Sequence, residues 1–299
     1  MKALLAANQV EAASQGVRLL GRLKFDPCSV DVVSIVEPFY PYAPTLGPGV
    51  AMPVGVDLSE IQRSAEKHCT SVAEQVCAEL GEYSLTATSH LETGRVGETL
   101  NRCAEEFDTD LVVVGGGEKG AVEAFVFGSV TRFLSSHSVR SFMVGRGVIA
   151  SRGPVRALFA TDHSEYANNT VEEFIRLQPT GLERITILSA YGIDLEVPLG
   201  TQLAMPESYA LEEQRIVDDL HEKNKAVAAR FSHLGCETIC MEVRGAPNQV
   251  IPDVMEQGES ELLVMGARGH GFVDRLVLGS TSHHMVATQP FSVLVLRPT

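Results

Sequence analysis

The residues Gly266-Ala267-Arg268-Gly269 are followed, after nine intervening residues, by Gly279-Ser280-Thr281-Ser282. The first glycine comes directly behind the apolar run Leu262-Leu263-Val264-Met265, and Gly279-Ser280 opens the last helical stretch. Glycine in such a place lets a ligand approach backbone N–H groups, and a helix start leaves several of those groups without intrahelical partners. Phosphate suits a cradle of this kind, to which Ser280, Thr281 and Ser282 add hydroxyls. The competing reading is a strand-to-helix turn that uses glycine only for its backbone freedom, and the long spacing weighs against it. The pattern is neither a Walker A loop, which needs G-x-x-x-x-G-K-[ST], nor the dinucleotide fingerprint G-x-G-x-x-G, since the glycines here run G-x-x-G-x-G.

Other polar residues lie where such a site would form. Asp162, just past the apolar run from Val155 to Ala160, can accept hydrogen bonds from an adenine amino group or ribose hydroxyls. It is equally suited to capping the next helix. Arg268 offers either a fork for phosphate or a solvated loop cation. His270 lies close by, with no catalytic role assigned. His283 and His284 are adjacent, so they do not face the same way on a helix and make no shared metal site. The six cysteines contain no C-x-x-C, and Cys236 and Cys240 have no third ligand in sequence reach, so all are read as reduced thiols.

The elements that must position these residues come in two copies. Asp110 onward, DLVVVGGGEKGAVEAFVFGSVT, matches Glu261 onward, ELLVMGARGHGFVDRLVLGSTS, and pairs Gly115 with Gly266 and Gly128 with Gly279. Upstream, KALLAAN from Lys2 matches RALFATD from Arg156, and the two offsets differ by a single gap. The copies meet near GRGVIASRGP, where Gly, Arg, Ser and Pro interrupt both periodicities. Within each copy, strands that are apolar at every position alternate with amphipathic helices, which predicts a parallel sheet covered on both faces. A helix is expected from Asp57 to Gly81, with the stripe Ile61, Ala65, Cys69, Val72, Val76 and Leu80, a capping box at Asp57 and Glu60, and Gly81 at its C-cap. Pro252 implies a kink in a helix or a helix starting there. Parallel sheets of this class bind ligands beyond the carboxyl ends of their strands.

The spaced motif resembles that of the nucleotide-binding members of the universal stress protein family, and the likeness covers nearly the whole chain as a tandem pair. It implies an α/β fold of two doubly wound domains, at 1–149 and 153–299, each a five-stranded parallel sheet in the order 3-2-1-4-5 flanked by helices. It further implies that ATP binds the second domain, with Mg²⁺ as an option. Ala160, Thr161 and Asp162 would border adenine and ribose, while Met265, Gly266, Gly269, Gly279, Ser280 and Thr281 would hold ribose and phosphates, with Arg268 and Ser282 completing the cradle. Leu188, placed at the end of the second strand, would contact the adenine face. The first copy departs from the pattern. Glu118 replaces the second glycine and Asn8 stands where Asp162 does, while Gly128-Ser129 and Thr131 survive, so the helix-start donors remain for a different ligand. At ~4 Å and an effective dielectric of about 20, a carboxylate facing a phosphate is opposed by roughly 4 kcal/mol, which Lys119 would only partly offset.

Composition narrows the function. With 24 Lys plus Arg against 38 Asp plus Glu, the 299-residue chain carries a formal charge of −14, and it has no basic cluster to hold a nucleic acid or an anionic membrane. Gln9 and Glu11 interrupt the short apolar start, and no run approaches the ~18 residues of a membrane span, so the expected location is the cytoplasm. The leading expectation is a stress-response regulator that senses ATP and presents a changed surface to an unidentified protein partner. A slow ATPase and a carrier or scaffold for a non-nucleotide ligand are the alternatives. The terminal strands SFMVG and SVLVL are expected to pair within the chain about a pseudo-two-fold axis, with homodimerisation left open.

Overall fold

The computed structural model describes residues 1–38, 58–116, 128–147, 149–192, 207–269 and 277–298. The first copy runs β1 (Lys2–Ala6), α1 (Val10–Leu23), β2 (Ser29–Val36), α2 (Leu58–Glu82), β3 (Thr86–Thr93), α3 (Val96–Glu106), β4 (Leu111–Gly115), α4 (Ser129–His137) and β5 (Ser141–Gly145). The second repeats it as β6 (Val155–Ala160), α5 (Glu165–Leu177), β7 (Leu182–Tyr191), α6 (Glu207–Phe231), β8 (Glu237–Arg244), α7 (Pro247–Gln257), β9 (Leu262–Gly266), α8 (Ser280–Thr288) and β10 (Ser292–Leu296). Each half is a parallel sheet in the order 3-2-1-4-5. The all-apolar strands are buried on both faces. Leu5, Val113, Phe159 and Val264 pack under α1, α2, α5 and α6, where Phe159, Phe174 and Phe231 form an aromatic trio. Leu4, Val112, Leu158 and Leu263 pack under α3, α4, α7 and α8 on the other face.

The two halves are not separate sheets. β5 pairs antiparallel with β10, Val144 opposite Val293 and Phe142 opposite Val295, which gives one ten-stranded mixed sheet. The contacts around this ladder are reciprocal, as a two-fold relation demands. The Arg297 N–H donates to Ser141 Oγ at 3.0 Å, and the equivalent Arg146 N–H donates to Ser292 Oγ at 3.0 Å. Further out, Arg22 on α1 grips Glu261 before β9 at 2.6 and 2.7 Å, and Arg176 on α5 meets Asp110 before β4 at 2.8 Å. Arg22 is buried, and it also donates to the carbonyls of Gly153 and Pro154, which ties the connecting segment to the first half. The Gly181 N–H donates to the Leu23 carbonyl at 2.8 Å, and a Cβ at Gly181 would lie 1.8 Å from the Arg22 carbonyl oxygen.

Several local expectations differ from what forms. α2 continues through Gly81 to Glu82, and the left-handed residue that ends the turn is Ser84, at φ 60°. Asp57, the first member of the expected capping box, lies outside the described residues. α7 starts at Pro247, whose fixed φ suits a first turn, and carries Pro252 inside it. All six cysteines are free. Burial pushes the Cys28 and Cys103 thiols up to about 11, so both stay protonated at neutral pH. No described helix is long and apolar enough to cross a membrane.

Because Arg22 is buried and bidentate, Arg22→Ala is expected to lower unfolding free energy by about 3 kcal/mol in a urea titration. Arg102→Ala, which removes exposed pairs with Glu92 and Glu106, should cost less than about 1 kcal/mol.

Candidate functional site

At the carboxyl ends of β6, β7 and β9 the structure opens a cavity of about 220 Å³. Every residue singled out for nucleotide contact lies on its wall: Ala160 at the end of β6 with Thr161 and Asp162 after it, Leu188 on β7, Met265 and Gly266 at the end of β9 with Arg268 and Gly269 after it, and Gly279, Ser280, Thr281 and Ser282 at the start of α8. Sequence reasoning missed Ala167, Ala190, Pro247 and Ile251, which complete the wall. Pro247 and Ile251 sit one helical turn apart on α7, a spacing visible in the sequence, but nothing there says which strand ends that helix crosses. Leu188 is not the last residue of its strand, since β7 runs on to Tyr191.

Each part of the wall has a local cause. The Thr161 N–H donates to the Leu188 carbonyl at 3.0 Å, which carries the chain past the strand end. The Asp162 side chain does not cap α5. Ser164 does, its Oγ accepting from the Ala167 N–H at 3.1 Å, while Asp162 Oδ1 accepts from the Ser164 N–H at 3.0 Å. The reason is geometric: the chain turns once more at His163, in the left-handed region at φ 56°, before the helix begins. Gly269 closes over Asp162 so tightly that a Cβ there would lie 2.5 Å from Asp162 Oδ2.

The helix start is built for an anion. The Gly279 N–H donates to the Ala267 carbonyl at 2.8 Å, which turns the chain into α8 and leaves its first amides at the cavity. Ser282 departs from expectation, because its hydroxyl donates to the Gly266 carbonyl at 2.8 Å and so locks the loop instead of offering its proton outward. Ser280 and Thr281 remain as the outward hydroxyls of that turn. Arg268 stacks over the Tyr166 ring, 5.3 Å from its centroid, and its Nε–H is buried with no hydrogen-bond partner among the described residues. An anion in the cavity is the kind of group that would satisfy this donor. Leu188, Ala190, Ile251 and Met265 give the cavity an apolar lining beside its polar one, the mixture a small-molecule site uses. His270 lies outside the described residues.

The first copy uses its matching positions differently. Asn8 is turned across to β2, its amide donating to the Ile35 carbonyl at 2.6 Å while its oxygen accepts from the Ile35 N–H at 3.0 Å. Helix α1 comes so close to the end of β4 that a Cβ on Gly115 would lie 1.6 Å from the Ala12 carbonyl oxygen. Glu118 and Lys119 lie outside the described residues. Among the described residues no group of three or more His, Cys, Asp and Glu could hold a metal ion.

A tandem, doubly wound α/β chain with a glycine cradle at its strand ends is the class of protein defined here, and comparison with known proteins gives its family. The model of the universal stress protein family matches residues 5–146 and again 155–297, so the chain belongs to that family. It is similar to a universal stress protein E homolog of Haemophilus influenzae, 24% identical over 213 residues, in an alignment that spans 68% of this chain and 66% of that protein. Among solved structures, a universal stress protein from Archaeoglobus fulgidus superposes with a TM-score of 0.65 at 17% identity, over 100% of this chain and 98% of that one. A functionally unknown protein from Pseudomonas aeruginosa gives a TM-score of 0.61 at 12% identity, over 99% of this chain and 92% of that one. These likenesses speak for the fold.

The two loops predict opposite responses to one methyl group. Gly115→Ala should destabilise the chain by more than about 2 kcal/mol, since the obstacle is backbone. Gly279→Ala should change stability by less than about 0.5 kcal/mol, because its Cβ meets nothing nearer than 3.5 Å. Calorimetric unfolding of both variants checks the contrast.

Proposed function

We propose that the chain is a regulatory protein that binds ATP in the cavity of its second half. The observation that carries this is Gly279 beside the buried Arg268 Nε–H, a combination the first half lacks because Gly128 is as free but Gly117 stands in place of Arg268; at Gly279 φ is −61° and a Cβ meets nothing nearer than 3.5 Å among the described residues, so the fold itself does not require glycine. A ligand that must touch the backbone at the start of α8 does require it. The adenine would lie in the slot between Leu188, Met265 and Ile251, with its polar edge and the ribose toward Asp162. The phosphates would meet the first amides of α8, the hydroxyls of Ser280 and Thr281, and the Arg268 guanidinium. A Mg²⁺ ion would arrive on the phosphates, where hydroxyls and one carboxylate suffice, since it keeps several of its waters. Among the described wall residues Asp162 is the one carboxylate, and the reading asks of it only that it hold the nucleotide.

On the same reading the first half does not take ATP. Asn8 spends its amide on Ile35, and Glu118 brings a carboxylate to the position where the cradle needs a second glycine. Edge pairing inside one chain supplies the two-fold partner that a single-copy protein would need a second subunit to provide.

Replacing Gly279 with Val tests the site directly. Isothermal titration with ATP should show at least a tenfold weaker affinity than the unaltered chain, with stability changed by no more than about 1 kcal/mol. Equal affinity in both would overturn the assignment.

A further inference from the structure

His163 is the neighbour of Asp162 but does not itself line the cavity. It takes φ 56°, a backbone conformation disfavoured for a residue of its kind, and its N–H donates to Thr161 Oγ1 at 3.1 Å. The imidazole reaches away from the cavity. Its Nε2 lies 3.0 Å from Ser189 Oγ and 3.0 Å from Asn224 Oδ1, both in fully buried side chains. Asn224 in turn donates from Nδ2 to Glu242 Oε1 at 2.7 Å and to the Met241 carbonyl at 3.3 Å. With its nitrogen committed to those acceptors, Asn224 presents only an acceptor to the histidine, so the hydrogen-bond network assigns the ring proton to Nε2. The first copy has none of this. Gln9 stands in place of His163 with an extended φ of −144°, and Ser34, which matches Ser189, donates to the Ala7 carbonyl instead. There the turn opens and Asn8 swings to β2.

We propose that His163 is a positioning residue of the nucleotide site: its anchored imidazole holds the turn from Thr161 to Ser164 so that Asp162 faces the cavity, and uptake of a second ring proton releases the turn and weakens nucleotide binding. This rests on the nucleotide reading above and adds a proton-linked control to it. The neutral ring is the form the surroundings favour. Burial pushes the imidazole below its ordinary value, against the hydrogen bond to Asn224. Of the charges around it, Lys223 on α6 lowers it further, while the neighbouring Asp162 and Asp219 on α6 raise it. Glu242 on β8, which also holds His221 at 3.2 Å, reaches the ring through Asn224. His163 therefore stays neutral at neutral pH. As pH falls through a value below the ordinary histidine range, Nδ1 takes up the second proton; the Nε2–H bonds to Ser189 and Asn224 favour the charged ring, but its burial cost outweighs them and draws the ring out of its pocket, so that the turn loses the anchor.

The test uses the full chain and three forms of it: unaltered, His163→Gln and His163→Ala. Glutamine places an amide donor near the Nε2 position and does not titrate, whereas alanine removes the anchor. ATP affinity is measured by titration calorimetry at about pH 7.5 and about pH 5. At the higher pH the glutamine form should bind nearly as well as the unaltered chain and the alanine form at least roughly fivefold more weakly. Between the two pH values, the unaltered chain should lose roughly fivefold more affinity than the glutamine form, a comparison that cancels the protonation of ATP itself. Identical pH profiles in those two forms, or full affinity in the alanine form, would overturn the proposal. NMR of the ligand-free chain gives an independent reading, in which the amide signals of Asp162 and Ser164 should follow the titration of the His163 ring. Amide signals that ignore it would overturn the proposal even in a chain that bound no ATP, whereas failure of every form to bind ATP would sink the nucleotide reading and leave the NMR result to decide the role of His163.

Discussion

The antiparallel ladder between β5 and β10 governs the rest of the molecule. A parallel doubly wound unit leaves its last strand with one open edge, and exposed edges of apolar strands invite association. Here the two open edges, SFMVG and SVLVL, satisfy one another, and all ten of their residues are buried. Reversal of direction at that single ladder has a geometric consequence. The carboxyl ends of the first half's strands and those of the second half lie along opposite edges of one sheet, so any two ligand sites face away from each other. Reciprocal arginines follow from the same two-fold relation: Arg22 and Arg176 brace strand starts across the boundary, and Arg146 and Arg297 flank the ladder itself.

Within that shared frame the halves differ by what they do with a few small residues. In the first, Gly115 lets α1 settle against the strand end, and Asn8 stitches the loop after β1 to β2. In the second, Gly266 makes room for the Thr170 and Tyr166 side chains, Gly269 lets the loop pass over Asp162, and at Gly279 a Cβ would make ordinary contacts at 3.5 Å and beyond. The glycines of the first loop relieve contacts within the protein. At both helix starts a Cβ would be tolerated, with nothing within 4 Å of it at Gly128 and nothing nearer than 3.5 Å at Gly279, but at Gly279 the position borders the buried Arg268 Nε–H, which has no hydrogen-bond partner among the described residues.

Much of this was legible beforehand, because strands and the loops after them carry their signals locally. All-apolar runs such as Leu111-Val112-Val113-Val114 announce burial on both faces, and collinear matches between Gly115 and Gly266 announce the repeat. The wall residues of the cavity lie within a few positions of strand ends, so they were placed from spacing and the family resemblance. What was not legible depends on contacts between distant segments. Pro247 and Ile251 reach the cavity because α7 packs across β7, and the hydroxyl of Ser282 turns inward because the Gly266 carbonyl is within reach. The shift of the α5 cap from Asp162 to Ser164 follows from the extra turn at His163, which is sustained by Ser189 and Asn224 from other elements. Gly81 is not the cap because the chain turns two residues later, where the Ser84 N–H donates to the Gly81 carbonyl and the Leu85 N–H to the Leu80 carbonyl, with Ser84 in the left-handed region.

The central claim is that one chain carries two copies of a scaffold and one working nucleotide site. Native mass spectrometry of the intact chain with increasing ATP counts occupied sites without assuming which residues hold the ligand. The account predicts that a single ATP adduct per chain saturates before any second one appears. Two adducts that fill together with similar affinity, or no adduct at ATP concentrations of several millimolar, would contradict it.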